Sequence, residues 1–333
     1  MIIINKAILH ILDLNSGMTV FSEQELEIKN DSVITFLIKH IEKSYHDQNS
    51  KSGAFQSDSK FKKQLADYID GKLDFINFSG MIAQTMHSAI SQAEVLDSSD
   101  LLVCDFTIDD NRFIGILKCN NRVGFTHQVI KTAEKIKNEI INHYAILPNL
   151  SQKIDEYAFI GADSFDIKFI DKKHLINGQE TYVLPEKILE CSSAVSPNST
   201  IKLVKAITRK IAENHGQSSV AAISKAKNYM VEHMETSEFL DPVELGKTVF
   251  RSSPIMQQEY VEEVKKSGIS EVVKMDRDFC VKKGKNHKIK TDTGIEITFP
   301  VDYFENKEYM EFVNNPDGTL SIELKNIGKI MNK

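Results

Sequence analysis

Apolar and polar positions sort the chain into strand-like and helix-like stretches. The densest apolar stretch is LLVCDFTIDDNRFIGILKCN, Leu101 to Asn120, where two short apolar runs meet at Asp109-Asp110-Asn111. Runs this rich in β-branched and aromatic residues predict paired strands in a sheet core, and Asp and Asn tolerate the tight backbone of the reversal. Leu102, Cys104, Phe106 and Ile108 fall on one side of the first strand, with Leu101, Val103, Asp105 and Thr107 on the other. Phe113, Gly115 and Leu117 carry the sheet past the turn. This hairpin is the expected centre of a first domain, with the helices before it covering a sheet face.

Upstream, Ile2 to Leu14 reads as a strand, Asn15-Ser16-Gly17 as a turn, and Met18 to Ile28 as a second strand. Asp31 is a candidate cap for a helix over Ser32 to His46, with Val33, Phe36, Leu37, His40 and Ile41 as its apolar face. Gln48 to Gln56 reads as a loop. Asp58 or Ser59 can cap a helix carrying Phe61, Leu65, Tyr68 and Ile69, ended by Gly71. Asp74 to Leu96 predicts a longer helix with the stripe Phe75, Phe78, Ile82, Met86 and Ile90; His87 beside it reads as a packing histidine rather than a ligand. Downstream of the hairpin, Thr126 to Tyr144 predicts a helix whose face is Val129, Ile130, Ala133, Ile136 and Ile140. Asn149 to Lys153 reads as a loop, Tyr157 to Ile170 as two short strands broken at Gly161-Ala162-Asp163, and Lys172 to Gln179 as a turn-rich link. Tyr182 to Leu189 fits no single element.

The polar segment SSAVSPNST, Ser192 to Thr200, sets the expected boundary between domains 1–191 and 192–333. Helices follow over Ile201 to His215, stopped by Gly216, and over Ser219 to Met234. Asp241-Pro242-Val243-Glu244 and Ser253-Pro254 each place a cap before an N1 proline, the second ahead of Ile255 to Lys265. Their junction at Arg251 and Ser252 admits a helix-turn-helix, a pattern common to many helical subdomains. Cys280 to Lys290 reads as a basic loop that Gly284 and Asn286 let bend. Thr291 to Gly294 is a turn before alternating Ile295, Ile297 and Phe299, and Asn315-Pro316-Asp317-Gly318 is a hairpin signal before Leu320, Ile322 and Leu324. Asn326 to Lys333 forms a weakly basic end. The expected class is α+β: a mixed N-terminal sheet covered by helices, then a helical segment and a small C-terminal antiparallel sheet.

Composition narrows the chemistry. With 333 residues, 41% hydrophobic and 26% charged, the chain reads as soluble and globular, and it has no apolar run long enough for a membrane span. The opening MIIINKAILHILDL reads as a strand, not a signal peptide. Cys104, Cys119, Cys191 and Cys280 form no CxxC pair and read as buried thiols in a reducing compartment. P-loop, nucleophile-elbow, zinc-helix and dinucleotide-glycine signatures are missing. Asp317 with Glu323 and Lys325 superficially resembles a metal-dependent nuclease site, but the Pro-Asp-Gly turn explains Asp317 and the gap to Glu323 is short. Asp105, Asp109 and Asp110 form a second acidic group, of which the turn explains the last two. No catalytic residue, cofactor or metal ligand is assigned.

A net charge of −6 argues against coating nucleic acid by bulk charge, but a local patch is a separate matter. Val264 to Lys290 carries a surplus of six positive charges: Lys265, Lys266, Lys274, Arg277, Lys282, Lys283, Lys285, Lys288 and Lys290 outnumber Glu271, Asp276 and Asp278. Lys202, Lys205, Arg209 and Lys210 give a second basic surface, in which Lys205 and Arg209 can equally pair with acids. The candidate DNA contacts are Lys202, Arg209, Lys210, Arg277, Lys282, Lys283, Lys285, Lys288 and Lys290; ordinary solvated lysines are the competing reading.

ILHIL at Ile8 to Leu12, DFINFSGMIAQTMHSAI at Asp74 to Ile90, the strands LLVCDF and FIGILKCN, and the closing DGTLSIELKNIG at Asp317 to Gly328 occur in an order that resembles the bacterial 37-kDa nucleoid-associated protein family, the NdpA-like group. Asn121 to Leu147 departs from the enterobacterial members, so contacts there do not transfer. The resemblance implies a cytoplasmic, nucleoid-located, non-enzymatic protein that binds double-stranded DNA as a homodimer, with other chromosome-associated proteins as possible partners. The DNA-contact residues rest on charge alone. The alternatives are a nucleoid interaction scaffold with little DNA affinity and a divalent-metal-dependent nuclease.

Overall fold

The computed structural model describes residues 1–133, 135–304, 306–317, 319–329 and 331. The chain divides into two compact units, Met1–Ala194 and Val195–Lys333. No helix among the described residues is long and apolar enough to cross a membrane.

The first unit contains, in order, β1 (Ile2–Asp13), β2 (Met18–Val20), α1 (Asp31–Tyr45), β3 (Lys51–Gly53), α2 (Lys60–Ile69), α3 (Phe75–Ile90), β4 (Ser98–Ile108), β5 (Asn111–Asn120), β6 (Arg122–Lys131), β7 (Ile136–Ile146), β8 (Glu156–Gly161), β9 (Ile167–Ile170), β10 (Lys173–Ile176) and β11 (Gln179–Tyr182). Seven strands form one sheet in the order β2-β1-β4-β5-β8-β9-β3, antiparallel at every pairing. The β4–β5 hairpin lies at its centre. Asp109 and Asp110 take φ of 47° and 66°, the left-handed geometry that short polar side chains tolerate in a two-residue turn.

Both faces of this hairpin are covered. Leu101, Val103, Ile114 and Ile116 pack into a core with Leu65 of α2 and Phe78, Ile82 and Met86 of α3. Leu102, Cys104, Phe106 and Leu117 pack into another with Leu37 and Ile41 of α1. Gly115 makes this packing possible, because a Cβ there would lie 3.0 Å from the Phe106 ring and 3.2 Å from that of Phe159. Asn30, Ser59 and Asp74 cap the three helices by accepting backbone N–H groups of the first turn.

Several expectations are corrected. The second strand covers Met18–Val20 only, and Asn30 rather than Asp31 is the cap of α1. The Gln48–Gln56 loop contains β3, and α3 stops at Ile90 instead of Leu96. Lys172 to Gln179 is not a link: Asn177 and Gly178, with φ of 51° and 77°, turn β10 back onto β11. Tyr182 to Leu189 contains a single wide helical turn, Leu184–Ile188. The largest correction is Thr126 to Tyr144, which forms most of the two-stranded ribbon β6–β7 instead of a helix.

The second unit contains α4 (Pro197–Asn214), α5 (Ser219–His233), β12 (Phe239–Leu240), α6 (Pro242–Val249), α7 (Pro254–Lys266), β13 (Val273–Lys274), α8 (Arg277–Gly284), β14 (Asn286–Lys290), β15 (Glu296–Pro300), β16 (Met310–Asn314) and β17 (Leu320–Leu324). Ile201, Val204, Met230, Leu245, Tyr260 and Cys280 bring its helices onto one core. Asp241 and Ser253 cap α6 and α7 with proline at N1, as the sequence predicts. The strands pair as three small antiparallel ladders, β12–β13, β14–β15 and β16–β17. Gly318 of the last hairpin turn, and Ile330, Asn332 and Lys333 of the basic end, lie outside the described residues. The α+β class holds throughout.

Candidate nucleic-acid interface

Cys280 to Lys290 is not a loop. Asp276 caps α8 by accepting the Phe279 N–H, and α8 runs into β14 through Lys285. Gly284 is buried in the helix rather than acting as a hinge: a Cβ there would lie 2.3 Å from Val231 Cγ2, so the glycine lets α8 approach α5 closely. The lysines therefore stand on a framework, Lys282 and Lys283 in the last turn of α8, where positive charge also complements the helix dipole.

The predicted cations separate into two groups. Lys210 holds Glu263 at 2.7 Å and Lys288 holds Glu296 at 2.6 Å, so each already faces a carboxylate. Lys266 and Lys274 of the wider basic stretch face Glu263 and Glu238. Lys202 and Arg209 on α4, Arg277, Lys282 and Lys283 on α8, Lys285, and Lys290 on β14 are exposed and carry no ion pair among the described residues. Lys283 lies 5.7 Å from the Phe279 ring centre.

Two further lysines join them. Lys205 on α4 is half-buried; burial, with the charges of Lys227 and Lys283 behind it, pushes it down to about 8. It has no carboxylate partner among the described residues, unlike the pairing its sequence allowed. Lys227 on α5 is 7% exposed and donates to the Asn286 carbonyl at 2.8 Å. Burial lowers its pKa too. His287 is pushed down to about 4 by burial and by Lys227 and Lys205, so it stays neutral at pH 7. Positive charge thus gathers where α4, α5, α8 and β14 converge. Lys227 was readable as a lysine between the apolar positions Ala226 and Met230, an arrangement that requires a buried partner.

The first unit holds charge of another kind. Asp105, one of the acids singled out in the sequence, is 1% exposed and accepts from Arg112 Nε at 3.1 Å, Tyr68 Oη at 2.6 Å and Asn5 Nδ2 at 3.0 Å. Burial pushes its carboxyl up, and these donors overcome that and hold it below the usual range. Lys118 and Glu156, each 1% exposed, pair at 2.8 Å. His174 at 2.7 Å and Asn120 at 2.9 Å complete the donors to Glu156, which stays at about 2 against the opposing effect of burial. Asp171 is pushed up to about 7 by burial and by Glu156. Glu156, Asp171 and His174 are of metal-ligand type, with ligand atoms within 4.8 Å of one another. Lys118 already supplies a positive charge there, and Asp171 accepts the Leu184 and Lys172 N–H groups. The arrangement is that of a satisfied structural network.

Asp317, Glu323 and Lys325 do not form a nuclease-like cluster. Asp317 accepts the Thr319 N–H at 2.9 Å and hydroxyl at 2.7 Å, which is turn chemistry. Lys325 bridges Glu311 and Glu323 across the β16–β17 ladder. The four cysteines are free and buried; burial pushes Cys119 and Cys191 up to about 12 and Cys280 to about 11. His87 makes an edge contact with Phe21, a packing role.

This α+β chain with a helix-borne basic surface matches a known family over nearly its full length. Residues 8–332 fit the NA37 family model, described as nucleoid-associated protein YejK. The chain belongs to this family of nucleoid-associated proteins. It is 26% identical over 167 residues to a nucleoid-associated protein of Vibrio campbellii, covering 49% of this chain and 47% of that protein. It is 28% identical over 127 residues to one of Vibrio parahaemolyticus, covering 37% and 38%. The matched stretches thus span half or less of each relative.

Proposed function

We propose that this protein binds double-stranded DNA in the bacterial nucleoid through the phosphate backbone, with little base readout and no catalytic step. The observation that carries the reading is the group of unpaired cations on α4, α8 and β14: Lys202, Arg209, Arg277, Lys282, Lys283, Lys285 and Lys290. Lys205 and Lys227 add charge from within, while Lys210 and Lys288 contribute less because each already has a carboxylate. A duplex supplies the missing counter-charge and releases its own condensed ions. Residues 1–191 and 192–333 act as separate domains, the second contacting DNA. Two copies acting together gain avidity and can bridge or compact the duplex. The protein works in the cytoplasm, alongside other chromosome-associated proteins.

The test is binding to two unrelated 30-base-pair duplexes across a salt series. Similar affinities that fall steeply with salt are expected. Replacing Lys282, Lys283 and Lys285 together by alanine lowers the salt slope by roughly 2–3. An unchanged slope in the folded triple variant rejects this surface. Lys205 gives a separate readout. Its charged form is lost as pH rises through about 8, so affinity falls between pH 7 and 9, and Lys205→Arg flattens that profile. A second reading, a nucleoid scaffold with slight DNA affinity, draws on the net charge of −6. Absence of binding at low salt selects it.

A further inference from the structure

The β6–β7 ribbon lies outside the seven-stranded sheet, and among the described residues its strands pair only with each other. Its register places Phe125 opposite Asn142, His127 opposite Ile140, Val129 opposite Asn138 and Lys131 opposite Ile136, all on one face. Val123 and Tyr144 lie beside the irregular step of that register, at its base. These apolar residues are bare: Val123 is 62% exposed, Phe125 77%, Val129 50%, Ile136 70%, Ile140 80% and Tyr144 67%. The opposite face carries Thr126, Gln128, Lys137 and Glu139 with Ile130 and Ile141, both isoleucines half-buried.

We propose that the apolar face of the β6–β7 ribbon is the surface through which two copies of this chain associate, face against face. At ordinary side-chain areas the six residues expose on the order of 700 Å² per copy. Two such faces together cover roughly 1,400 Å², within the range of stable interfaces. A lone copy leaves exposed a patch larger than soluble monomers usually carry. The pairing is isologous, so one patch serves both partners. Charge also favours a second copy over DNA. The positions between the apolar residues are His127, Asn138 and Asn142, with one lysine, Lys131, at the far end. Lys137, on the other face, is engaged by Glu139. A hydrated polyanion gains little from such a face, whereas its own duplicate covers it. Association through this face is independent of any contact with DNA.

The test uses the full chain in sedimentation velocity over a concentration series. The wild type is expected at twice the monomer mass at micromolar concentrations. Phe125→Glu with Ile140→Glu places charges against charges in the paired state and raises the dimer dissociation constant at least a hundredfold, with unchanged circular dichroism and melting temperature. A variant with residues 122–146 replaced by a short Gly-Ser turn is expected to be monomeric as well, which covers a misfolded double variant. A wild type that stays monomeric at tens of micromolar overturns the proposal. So does a dimer that survives both variants. A monomeric wild type whose DNA affinity falls in the double variant overturns it in favour of a nucleic-acid contact.

Discussion

Two hairpins follow one another with only Asn121 between them, and their surroundings differ sharply. In β4–β5 both faces are apolar, and α1 covers one while α2 and α3 cover the other. In β6–β7 the exposed apolar residues lie on one face, interrupted there by His127, Asn138 and Asn142, while the other face holds only Ile130 and Ile141 among polar residues. Apolar content alone does not decide burial. What differs is whether each face is continuous enough to hold a covering element, since a sheet face interrupted by amides loses much of what a packed helix gains from it.

The first hairpin is where substitution should cost most. Lys118→Ala strands Glu156 in the sheet interior, and a loss of roughly 3–5 kcal/mol is expected in urea unfolding followed by circular dichroism. A cost below about 1 kcal/mol would show that the pair contributes little to the difference between the hairpins. Asp100, on β4 and 8% exposed, is expected to act in the opposite sense. Burial and the Asp13 charge raise its carboxyl to about 6. A carboxylate raised on folding stabilises the fold at low pH, and that contribution is lost as pH climbs from its unfolded value near 4 through 6. Asp100→Asn should therefore stabilise the protein by roughly 2–3 kcal/mol at pH 7 and by little at pH 4, seen as a pH-dependent gain in melting temperature. The smallest effect belongs to the ribbon. Ile136→Ser is expected to shift the stability of a dilute sample by under about 0.5 kcal/mol. A loss of 2 kcal/mol there would mean that the ribbon face is packed within its own chain.

The same contrast explains what was legible in the sequence. Leu101 to Asn120 declared itself because its apolar runs are short, dense and broken at an Asp-Asp-Asn turn. The helices capped by Asp241 and Ser253 are equally plain, since a cap acts locally and needs no knowledge of what lies across the fold. The ribbon's sequence reads as a helix because Val129, Ala133, Ile136 and Ile140 follow i+4, i+3 and i+4 spacing, which copies a helix stripe. Its true signal was β-branched density, with Thr126, Val129, Ile130, Thr132, Ile136, Ile140 and Ile141 in one short stretch. In the basic region, charge was legible and its framework was not. Gly284 looked like a hinge because its contact, Val231, lies far away in sequence. The same distance hides the acid that claims Lys210, and the strand register of β14 with β15 hides the one that claims Lys288.

The pairing of β1 with β4 has a consequence for synthesis. Ile2 pairs with Ile108 and Asp13 with Ser98, so β1 leaves the ribosome with its partner on that side still about a hundred residues away. At roughly 5–20 residues per second, β1 waits on the order of 5–20 seconds with β2 as its only strand partner. During that interval a stretch as apolar as IIINKAILHIL invites capture by a holding chaperone, and chains stalled just before β4 should crosslink to one while chains stalled beyond β5 should not.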